Sequence, residues 1–336
     1  SNWKAGFLFQ ESYLFHNPSN KGETQNIKAM RIVIFLGILL SSQLFAQRPQ
    51  TKNLAPGSTG IRMEVDGLTR EFIVHTPPTY DANRAEAYPV VFMFHGGGGT
   101  GIKFYNTSGW KEKGDQEGII TVFPSAFRTC LEKSEGRSEK NYWMTVGKLE
   151  QLCASQKPHD DVPFVEAMLD HLNNNYHVEN RKIYASGFSN GMGFILSQLM
   201  PRMSDRFAAF GGVGSLLQEE VPASDPSPLF AMIGSMDDRF TVHAGLNELP
   251  HNESGVEANA FMKSSQETIL NSMGLGTQYR VRERPKYLLY RFEGTDTELR
   301  YAVLKGLTHV YPKGSQKDNG IVAAKVFWDF FQLYSL

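Results

Sequence analysis

The residues of this chain best placed for chemistry are Gly187-Phe188-Ser189-Asn190-Gly191, a serine held between two glycines. A serine hydroxyl is a weak nucleophile until its surroundings activate it. In a G-x-S-x-G turn between a strand and a helix, the serine is lifted on a sharp, strained backbone, and the glycines let strand and helix come close. Residues 181–186 have strand character, and residues 191–200 read as a helix stopped by Pro201. The first N–H groups of such a helix turn their positive end towards the serine. A glycine-flanked serine alone is only a turn. Its position between strand and helix predicts Ser189 as a nucleophile.

A nucleophilic serine needs a base, and on this kind of unit the acid and then the histidine follow it in the chain. Nine histidines are present, and three of them, His243, His251 and His309, lie downstream of Ser189. His309 sits in Gly306-Leu307-Thr308-His309-Val310-Tyr311-Pro312, between a late strand and the final helix, where a loop can overhang the serine. His243 and His251 lie in a polar stretch and read as surface residues. Residues 229–233 form a strand that exits through Gly234-Ser235-Met236-Asp237-Asp238. Either Asp237 or Asp238 would orient the histidine and stabilise its imidazolium, and the other would be a solvated turn carboxylate. Local spacing does not separate them. An oxyanion needs two N–H donors. The backbone of Asn190 offers one, and the loop His95-Gly96-Gly97-Gly98-Gly99 after the apolar run 88–94 offers the other. Gly97 is the first choice and Gly98 the second. His95 reads as structural. A phosphate cradle fits less well, because no Gly-Lys-Ser/Thr follows the glycines.

Strands alternating with helices must position these residues. Residues 70–75 alternate and end at Pro77-Pro78, while 88–94 and 118–124 are nearly continuous apolar runs, typical of strands buried on both faces. Trp110 and a short helix lie between those two runs. Helices are expected at 161–176, 258–273 and 321–333, and further strands at 207–213, 287–292 and 299–304. The alternation predicts an α/β fold: one mostly parallel central sheet with helices on both faces. Residues 61–336 read as a single catalytic domain, preceded by a Pro/Gly/Thr-rich linker at 47–60. Residues 126–157 break the rhythm as a long polar insertion with Trp143, of the kind that serves as a lid or binding loop.

Met30-Arg31, the apolar run 32–40 and the small residues up to Ala46 form the pattern of a secretory signal peptide over 30–46. The run is short for a membrane span. Residues 1–29 read as an upstream extension outside the mature protein. A secreted or periplasmic protein without a stable membrane anchor after cleavage is expected. The two cysteines, Cys130 and Cys153, both lie in the insertion, where export would permit a disulfide, although sequence sets no distance. Two cysteines without clustered histidines do not suggest a metal site. A formal charge of −1, from 34 basic and 35 acidic residues, argues against a nucleic-acid binder.

Asp160-Asp161-Val162-Pro163-Phe164, followed by residues 181–192 through Gly187-Phe188-Ser189-Asn190-Gly191-Met192, resembles the secreted polyhydroxybutyrate depolymerase and feruloyl esterase group. That group is allied to carbohydrate esterase family one. The resemblance runs from about Gly67 to the C-terminal helix and implies the α/β-hydrolase fold. It also implies a serine carboxylic-ester hydrolase working through an acyl-enzyme, without cofactor or metal. The substrate class it implies is small-molecule or oligosaccharide esters: feruloyl or other cell-wall carbohydrate esters, or hydroxybutyrate esters. The group's Gly-Thr/Ser-x-Asp pattern matches Gly234-Ser235-Met236-Asp237 and favours Asp237. Where the group has His-x-Trp-Pro, this chain has His309-Val310-Tyr311-Pro312, and Ile233 replaces a usual histidine. By resemblance, Trp143 and Tyr311 would line the substrate pocket. For Trp143 a buried place in the insertion is the alternative. Two other functions share the same residues: a prolyl-oligopeptidase-like serine peptidase, and a hydrolase-fold protein that binds without catalysis.

Overall fold

Side chains that are apolar on both sides of a strand require cover on both faces, and the apolar runs of this chain sit in the middle of one sheet. The computed structural model describes residues 54–336, so the expected signal peptide and upstream extension lie outside the described residues. Chain order gives strands β1 (Ser58–Val65), β2 (Leu68–His75) and β3 (Tyr88–Phe94), then helices α1 (Gly101–Thr107) and α2 (Trp110–Glu117). Next come β4 (Ile120–Ser125), the hairpin β5 (Arg128–Lys133) and β6 (Gly136–Asn141), and α3 (Val162–Asn175). The unit around Ser189 is β7 (Val178–Phe188), α4 (Asn190–Phe194), a π-helical stretch Ile195–Leu199 and α5 (Met200–Met203). Then follow β8 (Ala209–Val213), β9 (Leu229–Gly234), α6 (Asp238–Ala244), α7 (Glu253–Ala258) and α8 (Ala260–Ser272). The chain closes with β10 (Tyr279–Arg284), β11 (Tyr287–Glu293), β12 (Glu298–Leu304) and α9 (Ala323–Phe331).

Ten strands form the main sheet in the order β1-β2-β4-β3-β7-β8-β9-β12-β11-β10. From β4 to β12 every neighbouring pair is parallel. An antiparallel pair of strands closes each side, β2 and β1 beyond β4, and β11 and β10 beyond β12. In the centre of β7, Ile183 and Ala185 join one core layer and Tyr184 the other, as a period of two dictates. The first layer is covered by α3 (Val165, Met168, Leu169, Leu172) and α8, the second by α1, α2 and the aromatic face of α9 (Phe327, Phe331). This is the expected α/β architecture.

Three sequence readings need correction. The linker expected at 47–60 ends earlier, because Ser58, Thr59 and Gly60 belong to β1 and pair with His75, Val74 and Ile73. Small residues suit a half-exposed edge strand as well as a linker. Strand β10 was missed because Arg280, Arg282, Glu283 and Arg284 give it a polar surface, which is how sheet edges avoid further pairing. The insertion at 126–157 is not irregular throughout. It contains the β5–β6 hairpin and is closed by a Cys130–Cys153 disulfide with a Cα–Cα distance of 5.5 Å.

Candidate active site

Strand β7 delivers Ser189 at the point where the chain turns from sheet to helix. Ser189 has φ 49° and ψ −117°, a backbone conformation that non-glycine residues rarely adopt. Its N–H donates to Val213 O on β8 at 2.7 Å, and its own carbonyl accepts from Gly193 N at 2.8 Å. These bonds hold the strained residue between strand and helix. A Cβ at Gly191 would lie 2.2 Å from the Phe94 carbonyl oxygen, and one at Gly187 would lie 2.7 Å from Met192 N. Both glycines are therefore sterically required, Gly191 by β3 and Gly187 by the helix α4 that follows it.

Ser189 Oγ lies 2.8 Å from His309 Nε2, and His309 Nδ1 lies 2.7 Å from Asp237 Oδ2. Asp237 is buried and Asp238 is exposed, which distinguishes the two candidate acids. Asp237 also caps α6, with Oδ1 accepting from Arg239 N at 3.1 Å. One carboxylate thus fixes a helix start with one oxygen and the imidazole with the other. His243 is exposed, and His251 lies 3.6 Å from Glu248, so neither belongs to this chain of bonds.

Across from Ser189, the glycine loop is tightly held. Gly98 N–H donates to Asn141 O at 2.8 Å and Gly99 N–H to Gly96 O at 2.9 Å. Among the described residues neither the Gly96 nor the Gly97 N–H meets an acceptor, so Gly97 is a loop donor left available. Asn190 opens α4, where backbone N–H groups lack partners inside the helix. A Cβ at Gly97 would lie 3.7 Å from Asn190 Cβ, which places the two N–H-bearing segments side by side. The pair can hold a developing oxyanion beside Ser189.

His95 is wholly buried under this loop. Its Nδ1 pairs with Gly96 O at 2.7 Å and its Nε2 accepts from Ala126 N at 2.9 Å. Burial lowers its pKa to about 4 against the opposing hydrogen bond to Gly96, and the charge of Lys103 lowers it further. The ring is neutral and pins the loop to the exit of β4, as the structural reading of His95 expects.

Trp143 does not stand where the resemblance would put it, while Tyr311 is only partly buried. Trp143 is fully buried: its indole N–H donates to His95 O at 3.0 Å and its ring stacks on Phe194. With its whole ring inside the protein, it supports the wall from behind and does not line it. Tyr311 turns its hydroxyl inward to Trp110 Nε1 at 3.0 Å and Ser186 Oγ at 3.3 Å, and burial raises its pKa. It anchors the His309 loop beneath the elbow. The sequence reading missed the Asn190 side chain, which exchanges two hydrogen bonds with the Trp143 backbone, Oδ1 from N–H at 2.8 Å and Nδ2 to O at 3.0 Å. The insertion is thereby fastened to the residue after Ser189. An asparagine in a motif read only for its serine and glycines gives no such signal in sequence.

No protein-family model matches the chain. Over 275 residues it is 21% identical to the bifunctional acetylxylan esterase/xylanase XynS20E of Neocallimastix patriciarum, covering 80% of this chain and 34% of that protein. Over 190 residues it is 27% identical to NocK of Nocardia uniformis subsp. tsuyamanensis, a protein assigned as an esterase, covering 54% of this chain and 48% of that one. The chain thus spans a third to a half of the length of the curated relatives it matches. Among solved structures, the S-formylglutathione hydrolase of Agrobacterium tumefaciens superposes with a TM-score of 0.52 at 12% identity, over 83% of this chain and 97% of that chain. That likeness shows the fold, and the two sequence relatives bear out the resemblance to an esterase group. The chain has the α/β-hydrolase fold, and the two curated relatives it matches are described as esterases.

Proposed function

We propose that the protein is a serine carboxylic-ester hydrolase acting on acylated carbohydrates, with acetyl and feruloyl esters ahead of hydroxybutyrate esters. The observation that carries the reading is the unbroken series of hydrogen bonds from Ser189 Oγ through His309 to Asp237, at 2.8 and 2.7 Å, starting at a strained backbone. In the proposed cycle His309 Nε2 takes the Ser189 proton as Oγ attacks the ester carbonyl carbon. The Asn190 and Gly97 N–H groups hold the oxyanion, and Asp237 stabilises the imidazolium. The alcohol leaves with the proton from His309. Water then gives a proton to His309 and attacks the acyl-serine, and the acid leaves as Ser189 recovers its hydrogen. The substrate class is supported by the resemblance to a sugar-ester group and by the acetylxylan esterase among the relatives.

We further propose export to the periplasm or the exterior. The signal-peptide pattern at 30–46 and the disulfide in the insertion support it. No described helix is long and apolar enough to cross a membrane.

The test compares wild type with Ser189→Ala on p-nitrophenyl acetate, acetylated xylan, methyl ferulate and hydroxybutyrate oligomers. Ester turnover should fall on the order of 10⁴-fold or more in the variant. Equal rates in both proteins would remove Ser189 from the mechanism. Cleavage of a proline-containing peptide without ester turnover would make the protein a peptidase.

A further inference from the structure

The β5–β6 hairpin sorts its charges by strand alternation. Thr129 faces Lys140, Leu131 faces Ser138 and Lys133 faces Gly136 across the two strands. Opposed residues share a face, so Lys133 and Lys140 project on the side of buried Thr129 and Leu131. The other side neutralises itself, with Glu139 held by Arg137 at 2.7 Å and by Arg128 at 3.9 Å.

The lysine side lies against the glycine loop. A Cβ at Gly98 would lie 3.2 Å from Lys140 Cδ, and one at Gly97 would lie 2.8 Å from the Tyr142 ring. Lys133 Nζ donates to Tyr142 Oη at 3.1 Å, and Lys148 Nζ lies 5.5 Å from the Tyr142 ring centre. Among the described residues none of Lys133, Lys140 and Lys148 forms a salt bridge with a carboxylate. Their mutual repulsion is visible. Lys148 has its pKa lowered by burial first and by the Lys133 charge second. Burial alone would raise the Tyr142 pKa, but hydrogen bonds from Ser138 and Lys133 and the charges of Lys133 and Lys140 bring it down. Like charges crowded around the loop next to Ser189 outnumber the exposed Glu135 carboxylate, whose pKa the Lys133 charge helps to lower, and leave a net positive potential beside the site.

We propose that this lysine rim selects esters whose acyl or alcohol part carries a carboxylate. The proposal rests on the serine-esterase reading and narrows its substrate class from acylated carbohydrate to acidic ester: an acylated uronic-acid sugar, or a hemiester of a dicarboxylic acid.

Two matched pairs of substrates test it. Mono-p-nitrophenyl succinate against p-nitrophenyl butyrate places the charge on the acyl side. An acetyl ester of glucuronic acid against an acetyl ester of glucose places it on the alcohol side. In at least one pair, kcat/KM should favour the anionic member by about threefold to tenfold at ~0.01 M salt, and the preference should collapse at ~1 M salt, where the screening length is about 3 Å. Lys140 is exposed, so Lys140→Glu leaves the packing in place and, by cutting the net charge of the rim from +3 to about +1, should weaken the preference by about twofold or more. A preference that salt and Lys140→Glu leave intact would refute a role for the rim. Turnover of all four esters without preference would refute the proposal alone. Turnover of none would remove the esterase reading and the proposal with it.

Discussion

Asp237 has two oxygens with two separate tasks, and this makes one substitution unusually informative. In Asp237→Asn the remaining oxygen can still accept from Arg239 N, because asparagine caps helices as well as aspartate does. The new amide N–H then faces His309 Nδ1, which must become an acceptor. Nε2 is left carrying the hydrogen, and the base can no longer take the Ser189 proton. Thermal midpoint should stay within a few degrees of wild type while kcat falls on the order of 10³- to 10⁴-fold. A variant that unfolds, or one that keeps most of its activity, would contradict this division of labour. At this scale much was legible in sequence. Ser189, His309 and the Gly97 loop follow from a motif, an order and a strand exit. The exclusion of Asp238 did not follow from spacing, because only burial distinguishes adjacent carboxylates. The inward turn of Trp143 and Tyr311 was likewise unreadable, since a side chain's direction depends on partners such as His95 and Trp110 that are distant in sequence.

Among the elements, the glycine loop depends on a histidine that must stay neutral. In the folded protein His95 has a pKa of about 4, while in the unfolded chain it returns to the ordinary histidine value of 6.5. The unfolded state therefore binds more protons between these values, so stability is full above pH 6.5 and declines as pH falls towards 4. The difference amounts to roughly 3 kcal/mol. His159 and His171 also have lowered pKa values through burial and act with the same sign, so the comparison needs a variant. Urea unfolding at pH 7.5, 5.5 and 4 should show a shallower decline for His95→Gln than for wild type, and parallel slopes would exclude His95 as the cause. The insertion makes a second prediction. Its disulfide closes a sequence separation of 23, which stabilises the fold by about 3 kcal/mol. The hairpin it ties down leads to Trp143, which holds Asn190. Replacing both cysteines by serine should lower the urea midpoint and also reduce kcat, because the segment carrying one proposed oxyanion donor is then less well held. An unchanged kcat would separate the hairpin from the site. Sequence revealed the insertion and both cysteines. It concealed the hairpin, because alternation there separates lysines from a self-paired charged face and not apolar from polar residues.

For the whole molecule, the parallel centre of the sheet was legible because its strands are apolar on both faces, and the outermost strands β1 and β10 were not, because they are small or charged. Besides the β2–β4 pairing, an ion pair that sequence also hides ties the β1–β2 flank to the helix covering the centre. Arg70 on β2 and Asp161 at the start of α3 are both buried and meet at 2.7 Å, with the Arg70 guanidinium 4.1 Å above the Phe164 ring. The second Asp161 oxygen accepts from Met144 N at 2.8 Å, in the segment next to Trp143. The carboxylate thus couples the outer sheet, a helix and the insertion that reaches Asn190. Removing one partner strands a buried charge, so Arg70→Met and Asp161→Leu should each destabilise the fold by about 3–5 kcal/mol. Removing both eliminates the stranded charge and leaves only the Met144 N–H without an acceptor, a penalty of about 1–3 kcal/mol. The double variant should therefore be more stable than either single one, as read by denaturant unfolding. Strict additivity of the two losses would mean that the pair does not act as a unit, and that the sheet edge and the insertion are held independently.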